Sequence, residues 1–462
     1  MSLIRKTLKV TGWITGIAAV GMAAVVLANA FDEPLAPEVK ALLERPAPQV
    51  AEADNLLNAL IGFPIVSADV AENEAFWRIG VRKRAIRRVA ADNDARQHAY
   101  DVTGDERTLR LIGDRTLLCP RDALSDPTCL SAVAAHRDAV EQLLIDNAEW
   151  LRRFHALQRY STFAADAPIS WADPWLPSSE VSTGHALART EIALQWVRGD
   201  RAAAVANLAA DLQFWRQFLA STDANLIEKF IAAAGYRDSL LLAATVLRTQ
   251  ALSPDEVAML EPALAPLPQA AVSLVSAIDR EFDYFNAALI ATLAAPAASL
   301  AIDEDGEPSE LAGIRDVIAR YFTLPNATLN RRFRRVQMEI AATRNCAQSA
   351  ADATPEAEFS LAERLYNPIG NTIADVGAPR YGDYAKRLCD LDGLSRIVGL
   401  QLAMARLPQP PADAAAVAAF VQTADARFAD PYTGAPMQVD GQRRVRFEAR
   451  DPRMKALLPW PI

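Results

Sequence analysis

The chain has 462 residues, 51% of them hydrophobic and 23% charged, and carries a formal net charge of −9. That balance excludes a disordered chain and a membrane protein with many spans, and the acid excess disfavours nucleic acid, whose phosphates need a basic face. Ninety residues are alanine against 19 glycines; alanine is the strongest helix former and a weak strand residue, so a mainly helical body is expected.

Residues 1–9 form a basic tail with Arg5, Lys6 and Lys9, and the following 19 residues, 10–28, carry no charge. That length is close to the ~20 residues a helix needs to cross a hydrocarbon core. Residues 10–30 are therefore expected to be a transmembrane signal-anchor with the tail cytoplasmic and the remainder outside. Cleavage after the small-x-small triplet Ala28-Asn29-Ala30 is the competing reading, but the apolar run is longer than the usual signal-peptide core. Beyond residue 30 there are 45 basic and 57 acidic residues, so the exported part carries −12.

Residues 31–50, with Pro34, Pro37, Pro46 and Pro48, predict a stalk bearing a short helix at 38–45. A helical body is expected over 51–428. Its first helices are read at 53–60 and 71–91. An irregular insert from 93 to 126 precedes a long helix at 131–160, where Asn147 interrupts the apolar stripe and calls for a polar partner. Helices at 183–198, 202–220, 225–248, 254–264 and 269–294 follow on short connections, which force antiparallel neighbours. An acidic, turn-rich loop at 302–310 leads to helices at 311–322, 327–348, 359–366, 384–405 and 412–428. The tail, 429–462, changes character: 436–439 and 443–448 alternate around Asp440-Gly441 as a small β-hairpin.

Two local resemblances bear on class. The segment ALQWVRGDRAAAVANLAADLQFW, with Ala204, Val205, Leu208 and Leu212 after a Gly199-Asp200 turn, resembles a tetratricopeptide-type hairpin over about 183–215. It implies a helical bundle or an irregular α-solenoid, possessed of a concave protein-binding face; no second copy recurs at a fixed period. Asp430-Pro431-Tyr432-Thr433-Gly434 with Pro436 resembles the DPxTGxP segment near the ends of many bacterial envelope proteins of unknown function. With the anchor, this makes the chain similar to uncharacterised bacterial membrane-anchored envelope proteins. The resemblance implies a single pass in the inner membrane and a periplasmic body.

Four cysteines, Cys119, Cys129, Cys346 and Cys389, suit an oxidising compartment. The pairs Cys119–Cys129, across a proline-bearing loop, and Cys346–Cys389 are preferred among three possible connectivities. A zinc site would need a CxxC or HxxxH spacing that the sequence lacks.

No GxSxG, HExxH, CxxCH, GxGxxG or P-loop motif occurs, so no catalytic, cofactor or metal site is assigned. The Asp303-Glu304-Asp305-Gly306 run has Ala301 and Ala312 where a calcium loop needs acids, and reads as a solvated loop. Glu228, Glu281 and Asp283 are the carboxylates that a glycan hydrolase on a helical body could draw on. Arg82, Lys83, Arg84, Arg87 and Arg88 form one basic cluster, and Arg331, Arg332, Arg334 and Arg335 a second. The first is a candidate patch for anionic lipid or an acidic partner, with a solvated face paired to acids as the competing reading. The expectation is an interaction or scaffold component of the envelope with a protein partner. A carboxylate-dependent envelope hydrolase is the alternative, and a small-molecule binder with an apolar cavity is a third reading.

Overall fold

The computed structural model describes residues 13, 19–46, 48–89, 106–120, 129–165, 176–249, 251–294, 317–343, 346, 361–376, 381–458 and 460–461. The chain is mainly helical, with two small antiparallel sheets. Its helices of ten residues or more, in chain order, are α1 (Ala19–Ala28), α2 (Trp77–Val89), α3 (Arg137–Asp146), α4 (Ala148–Leu157), α5 (Ser178–Arg198) and α6 (Arg201–Leu219). Then come α7 (Leu226–Thr249), α8 (Val275–Ala294), α9 (Pro325–Thr343), α10 (Tyr381–Ala405) and α11 (Ala414–Thr423). The strands are β1 (Ile65–Val66) paired with β2 (Arg107–Thr108), and β3 (Gln438–Val439), β4 (Arg444–Arg446) and β5 (Trp460–Pro461), with β4 in the middle.

The residues cluster into two compact units. Unit 1 comprises Met1–Pro46, Phe282–Ala341 and Ala353–Arg380; unit 2 comprises Ala47–Glu281, Ala342–Asp352 and Tyr381–Ile462.

Unit 2 is organised around α5, α6, α7 and α10. Gly199 ends α5 with φ +88°, a left-handed geometry that glycine adopts without strain, and its turn sends α6 back along α5. Leu187, Val205, Leu208, Leu212, Trp215 and Leu240 are buried between these helices; each such side chain contributes about 1.5–3 kcal/mol by leaving water. Gly235 on α7 lies against the Trp215 indole, where an added Cβ would sit 2.3 Å from the ring. Helix α7 is the one described helix long and apolar enough to cross a membrane, but 72% of its most apolar window is buried within the protein. It carries the buried Glu228, Lys229 and Asp238. The ammonium of Lys229 donates to the carbonyls of Leu219 at 3.0 Å and Ala270 at 2.8 Å, so α7 forms core contacts along its length.

Several expected helices are divided. The one predicted at 131–160 is three: Cys129–Ala135, α3 and α4. The second break is at Asn147, whose side chain donates to the Ile112 and Leu143 carbonyls, both at 2.7 Å, and accepts from the Ile112 amide at 3.0 Å. An asparagine that satisfies backbone groups outside its helix competes with the helical ladder. The stretch 71–91 divides into Val70–Glu74 and α2, and 269–294 into Gln269–Val272 and α8. The described part of the carboxy-terminal tail joins β3 and β4 to a third strand, β5. The loop 302–310 and its Asp303–Gly306 run lie outside the described residues, as do 1–9, 93–105 and 311–316.

In unit 1, the start of the segment expected as a stalk is stitched to its surroundings. Asp32 accepts from the Asn326 and Ala327 amides at 2.7 and 3.0 Å, placing a carboxylate on the amino-terminal end of α9, where the helix dipole favours it. Asn330 donates to Glu33 and to the Pro34 carbonyl and accepts from the Ala36 amide. Arg45 pairs with Asp283. Asn29, at the end of α1, is 2% exposed; it donates to the Val25 and Leu365 carbonyls and accepts from the Asn367 amide at 2.6 Å.

Candidate functional site

Unit 2 contains a half-open cavity of about 530 Å³. Its walls come from α5, α6, α7, α10 and the segment after β4. Leu226, Ile227, Phe230, Ile231, Leu391 and Met454 make it largely apolar, while Arg237, Asp238, Arg387, Asp390, Asp451 and Arg453 supply charge. A concave apolar chamber with a few placed polar groups is the usual form of a small-molecule site.

One end of the cavity is closed by His185 and Trp215. The imidazole stacks on Phe154 with centroids 5.7 Å apart and meets the Trp215 ring edgewise at 4.9 Å. Behind it, His185 Nε2 lies 3.0 Å from Asp211 Oδ2 and 3.1 Å from Ser239 Oγ, and that hydroxyl is 2.5 Å from the same carboxylate oxygen. Gln158 donates to Asp211 Oδ1 at 3.2 Å. Burial alone would push the Asp211 carboxyl up; the charge and hydrogen bond of His185, with Ser239 and Arg189, hold it below the usual carboxylate range.

The trio contains serine, histidine and aspartate, yet it is not a nucleophilic relay. That chemistry needs serine on one ring nitrogen and aspartate on the other, whereas both face Nε2 here. The cluster braces the pocket wall.

The DPxTG segment supports the wall that carries Asp390. Asp430 Oδ1 accepts from the amides of Tyr432 and Thr433, and Oδ2 from that of Glu448, while Gly434 takes φ +68° to close the turn. This turn aims the Tyr432 hydroxyl at Asp390 Oδ1 on α10, 2.6 Å away. Asp390 also accepts from the Asp451 amide at 2.7 Å and the Arg450 amide at 3.0 Å. Burial raises its carboxyl to about 6, although these hydrogen bonds pull the other way. Burial and the adjacent Asp390 carboxylate raise the Tyr432 phenol. Asp390 thus fixes the stretch that brings Asp451, Arg453 and Met454 to the pocket.

The other charges are arranged in pairs. Arg387 Nε meets Asp451 at 2.9 Å, and Asp238 accepts from Arg237 at 2.8 Å with Arg189 at 3.8 Å. Arg453 is exposed at the mouth, and among the described residues its guanidinium makes no ion pair.

The residues singled out from sequence fall elsewhere. Cys119 and Cys129 pair with Cα atoms 4.9 Å apart and Cys346 and Cys389 with Cα atoms 5.5 Å apart, both ordinary disulfide separations and both in line with an oxidising compartment. Glu228 accepts from the Asn225 amide and Glu281 from the Leu226 amide, so both serve the start of α7, while Asp283 holds Arg45. The three do not converge on the cavity.

The first basic cluster is turned inward where it is described. Lys83 is buried against Glu106 at 2.7 Å, Arg84 is buried against the Asn58 side-chain Oδ1, and Arg82 spans Glu72 and Glu106. Burial and internal pairing withdraw Lys83 and Arg84 from any lipid- or partner-facing surface; the side chains of Arg87 and Arg88 lie outside the described residues. In the second cluster, Arg331 and Arg335 share Asp375, and Arg332 donates to the Ala374 carbonyl.

Comparison with protein-family models, with curated proteins and with solved structures finds no match to this chain. The site therefore stands on its own geometry. Sequence reasoning missed His185, Asp211, Ser239 and Asp390. The available signal was a polar residue at a core-facing position, as in AADLQFW around Asp211 and RDSLLLAA around Ser239.

Proposed function

We propose that this is a membrane-tethered, exported helical protein whose body binds a small amphipathic molecule, with the apolar part in the cavity and an anionic group at its mouth. The observation that carries this reading is the largely apolar 530 Å³ chamber with Arg453 at its rim. An anion there gains a guanidinium that holds no carboxylate among the described residues, whereas Arg387 and Arg237 already do.

The tether is supported by the uncharged run 10–28 behind a basic flank, by the apolar helix α1, and by the burial of Asn29 inside the small-x-small triplet. Cleavage after Ala30 would require this docked segment to leave its bonds to Leu365 and Asn367. The protein-partner role expected from sequence is the second reading. It draws on Ile227, a cavity residue that is also 48% exposed, where an apolar side chain of a partner could enter. A hydrolase draws less support: Asp390, the pocket acid with the raised carboxyl, already accepts from Tyr432 and two amides.

Full-length protein in nanodiscs avoids detergent monomers that would compete for an apolar site. Titration with decanoate, decyl phosphate and decanol is expected to give saturable binding of the two anions and weaker binding of the alcohol. Ala234→Trp, at an exposed position of the cavity wall, should abolish binding of all three with stability changed by less than about 1 kcal/mol. Arg453→Ala should weaken the anions roughly tenfold, the worth of one charge-assisted contact, and leave decanol unchanged. Binding that ignores Ala234→Trp would refute the site.

A further inference from the structure

Unit 1 concentrates exposed apolar side chains that the helical packing leaves uncovered. Val317 is 63% exposed, Ile318 49%, Tyr321 39% and Leu365 45%. They lie beside the root of α1, whose own Val20, Met22 and Leu27 are exposed. The Tyr321 hydroxyl donates to the Val26 carbonyl at 2.7 Å, Asn29 donates to the Leu365 carbonyl at 2.9 Å, and the Tyr366 hydroxyl donates to the Phe31 carbonyl at 3.2 Å. These bonds fix Tyr321, Leu365 and Tyr366 at the level of residues 26–31 of the chain, with Val317 and Ile318 about one helical turn from Tyr321.

Depth then follows from helix geometry. Val26 is four residues before Ala30, about 6 Å along a helix axis. An atom hydrogen-bonded to Val26 is therefore held about that far inside the end of the span, within the 5–10 Å that interfacial apolar faces penetrate. Tyrosine is a residue enriched at that level, since its ring is apolar and its hydroxyl polar. Asp32, whose carboxylate caps α9, is held just beyond the span, on the aqueous side.

We infer that unit 1 forms a collar around the base of α1 and dips into the outer-leaflet interface through Val317, Ile318, Tyr321 and Leu365, a second membrane contact beside the anchor. The occupant of this surface is lipid, because the patch is continuous with a helix that the anchor reading already places in lipid. The inference rests on that reading, and its test separates the two.

Full-length wild-type protein is placed in nanodiscs containing a phospholipid with a photoactivatable diazirine on its acyl chain, irradiated, digested and mapped by mass spectrometry. Lipid adducts are expected on residues 10–30, on 317–321 and at 365, and not around Ile145, an equally exposed apolar residue of unit 2. Val317→Asp with Ile318→Asp should lose the adducts at 317–321 and keep those on 10–30. Adducts on 10–30 alone overturn the collar and leave the anchor standing. Adducts on 317–321 and 365 without any on 10–30 support a lipid-facing collar and overturn the anchor. Adducts at none of these positions overturn both.

Discussion

Replacing Asp211 by alanine is expected to cost the fold about 3–5 kcal/mol, because it removes a buried carboxylate shared by several groups, and each buried partner left unmet costs about 1–3 kcal/mol. The carboxylate is fully buried and receives His185, Ser239 and Gln158. Its loss strands an imidazole packed between Phe154 and Trp215. Asp211→Asn keeps the shape and part of the hydrogen bonding, and should cost only about 1–2 kcal/mol. Urea denaturation of the disulfide-intact protein in nanodiscs, followed by tryptophan fluorescence, measures both. A loss below about 1 kcal/mol for the alanine variant would show that the trio is not a coupled buried cluster.

The pH dependence gives a second handle on the same residue. The folded carboxyl of Asp211 is held below its unfolded value, so its stabilisation is present above the unfolded value and is lost as pH falls through the folded one. Wild type and Asp211→Ala should therefore converge in stability on acidification.

What the sequence disclosed follows from how local each signal is. The antiparallel α5–α6 pair was legible because apolar residues recur at helical spacing on both sides of a Gly-Asp turn, and a glycine there both ends one helix and reverses the chain. The Cys119–Cys129 pairing was legible because a nine-residue proline-bearing loop has few ways to order itself. Asn147 was recognised as a polar residue that needed a partner. The broken helix was not foreseen, since the partner backbone at Ile112 is 35 residues away and periodicity carries no trace of it. Charge density along the run from Arg82 likewise does not show that Glu72, Glu106 and Asn58 lie opposite.

The site is the least legible part because its contacts are non-local. His185, Asp211 and Ser239 sit on three successive helices, α5, α6 and α7, and meet only when those helices pack. The DPxTG segment was visible as a turn. Its purpose, to carry Tyr432 to a carboxylate on α10, required knowing that α10 passes beneath it. Unpartnered polar residues at core-facing positions are the sign of such contacts, because burying them is costly unless something meets them.

Asp390→Ala is expected to have the broadest consequence, because it removes a fixture of both the fold and the pocket. The amides of Arg450 and Asp451 lose their acceptor together, and leaving buried donors unmet costs about 1–3 kcal/mol each, while the Tyr432 hydroxyl keeps only the Lys386 carbonyl at 3.0 Å. The carboxy-terminal segment should then become sensitive to limited proteolysis within 429–462, and binding at the chamber should fall with it, since Asp451, Arg453 and Met454 are held there through Asp390. Asp390→Asn separates charge from acceptor. The folded carboxyl of Asp390 sits at about 6 against an ordinary value of 3.8, so its contribution is fully present below the unfolded value and is lost as pH rises through about 6. Between pH 7 and pH 4 the wild type should thus gain about 2–3 kcal/mol relative to Asp390→Asn, the free energy of a two-unit shift. Denaturation of the two proteins across that range reads the difference directly, and parallel curves would mean that Asp390 is as easily ionised in the fold as in the unfolded chain.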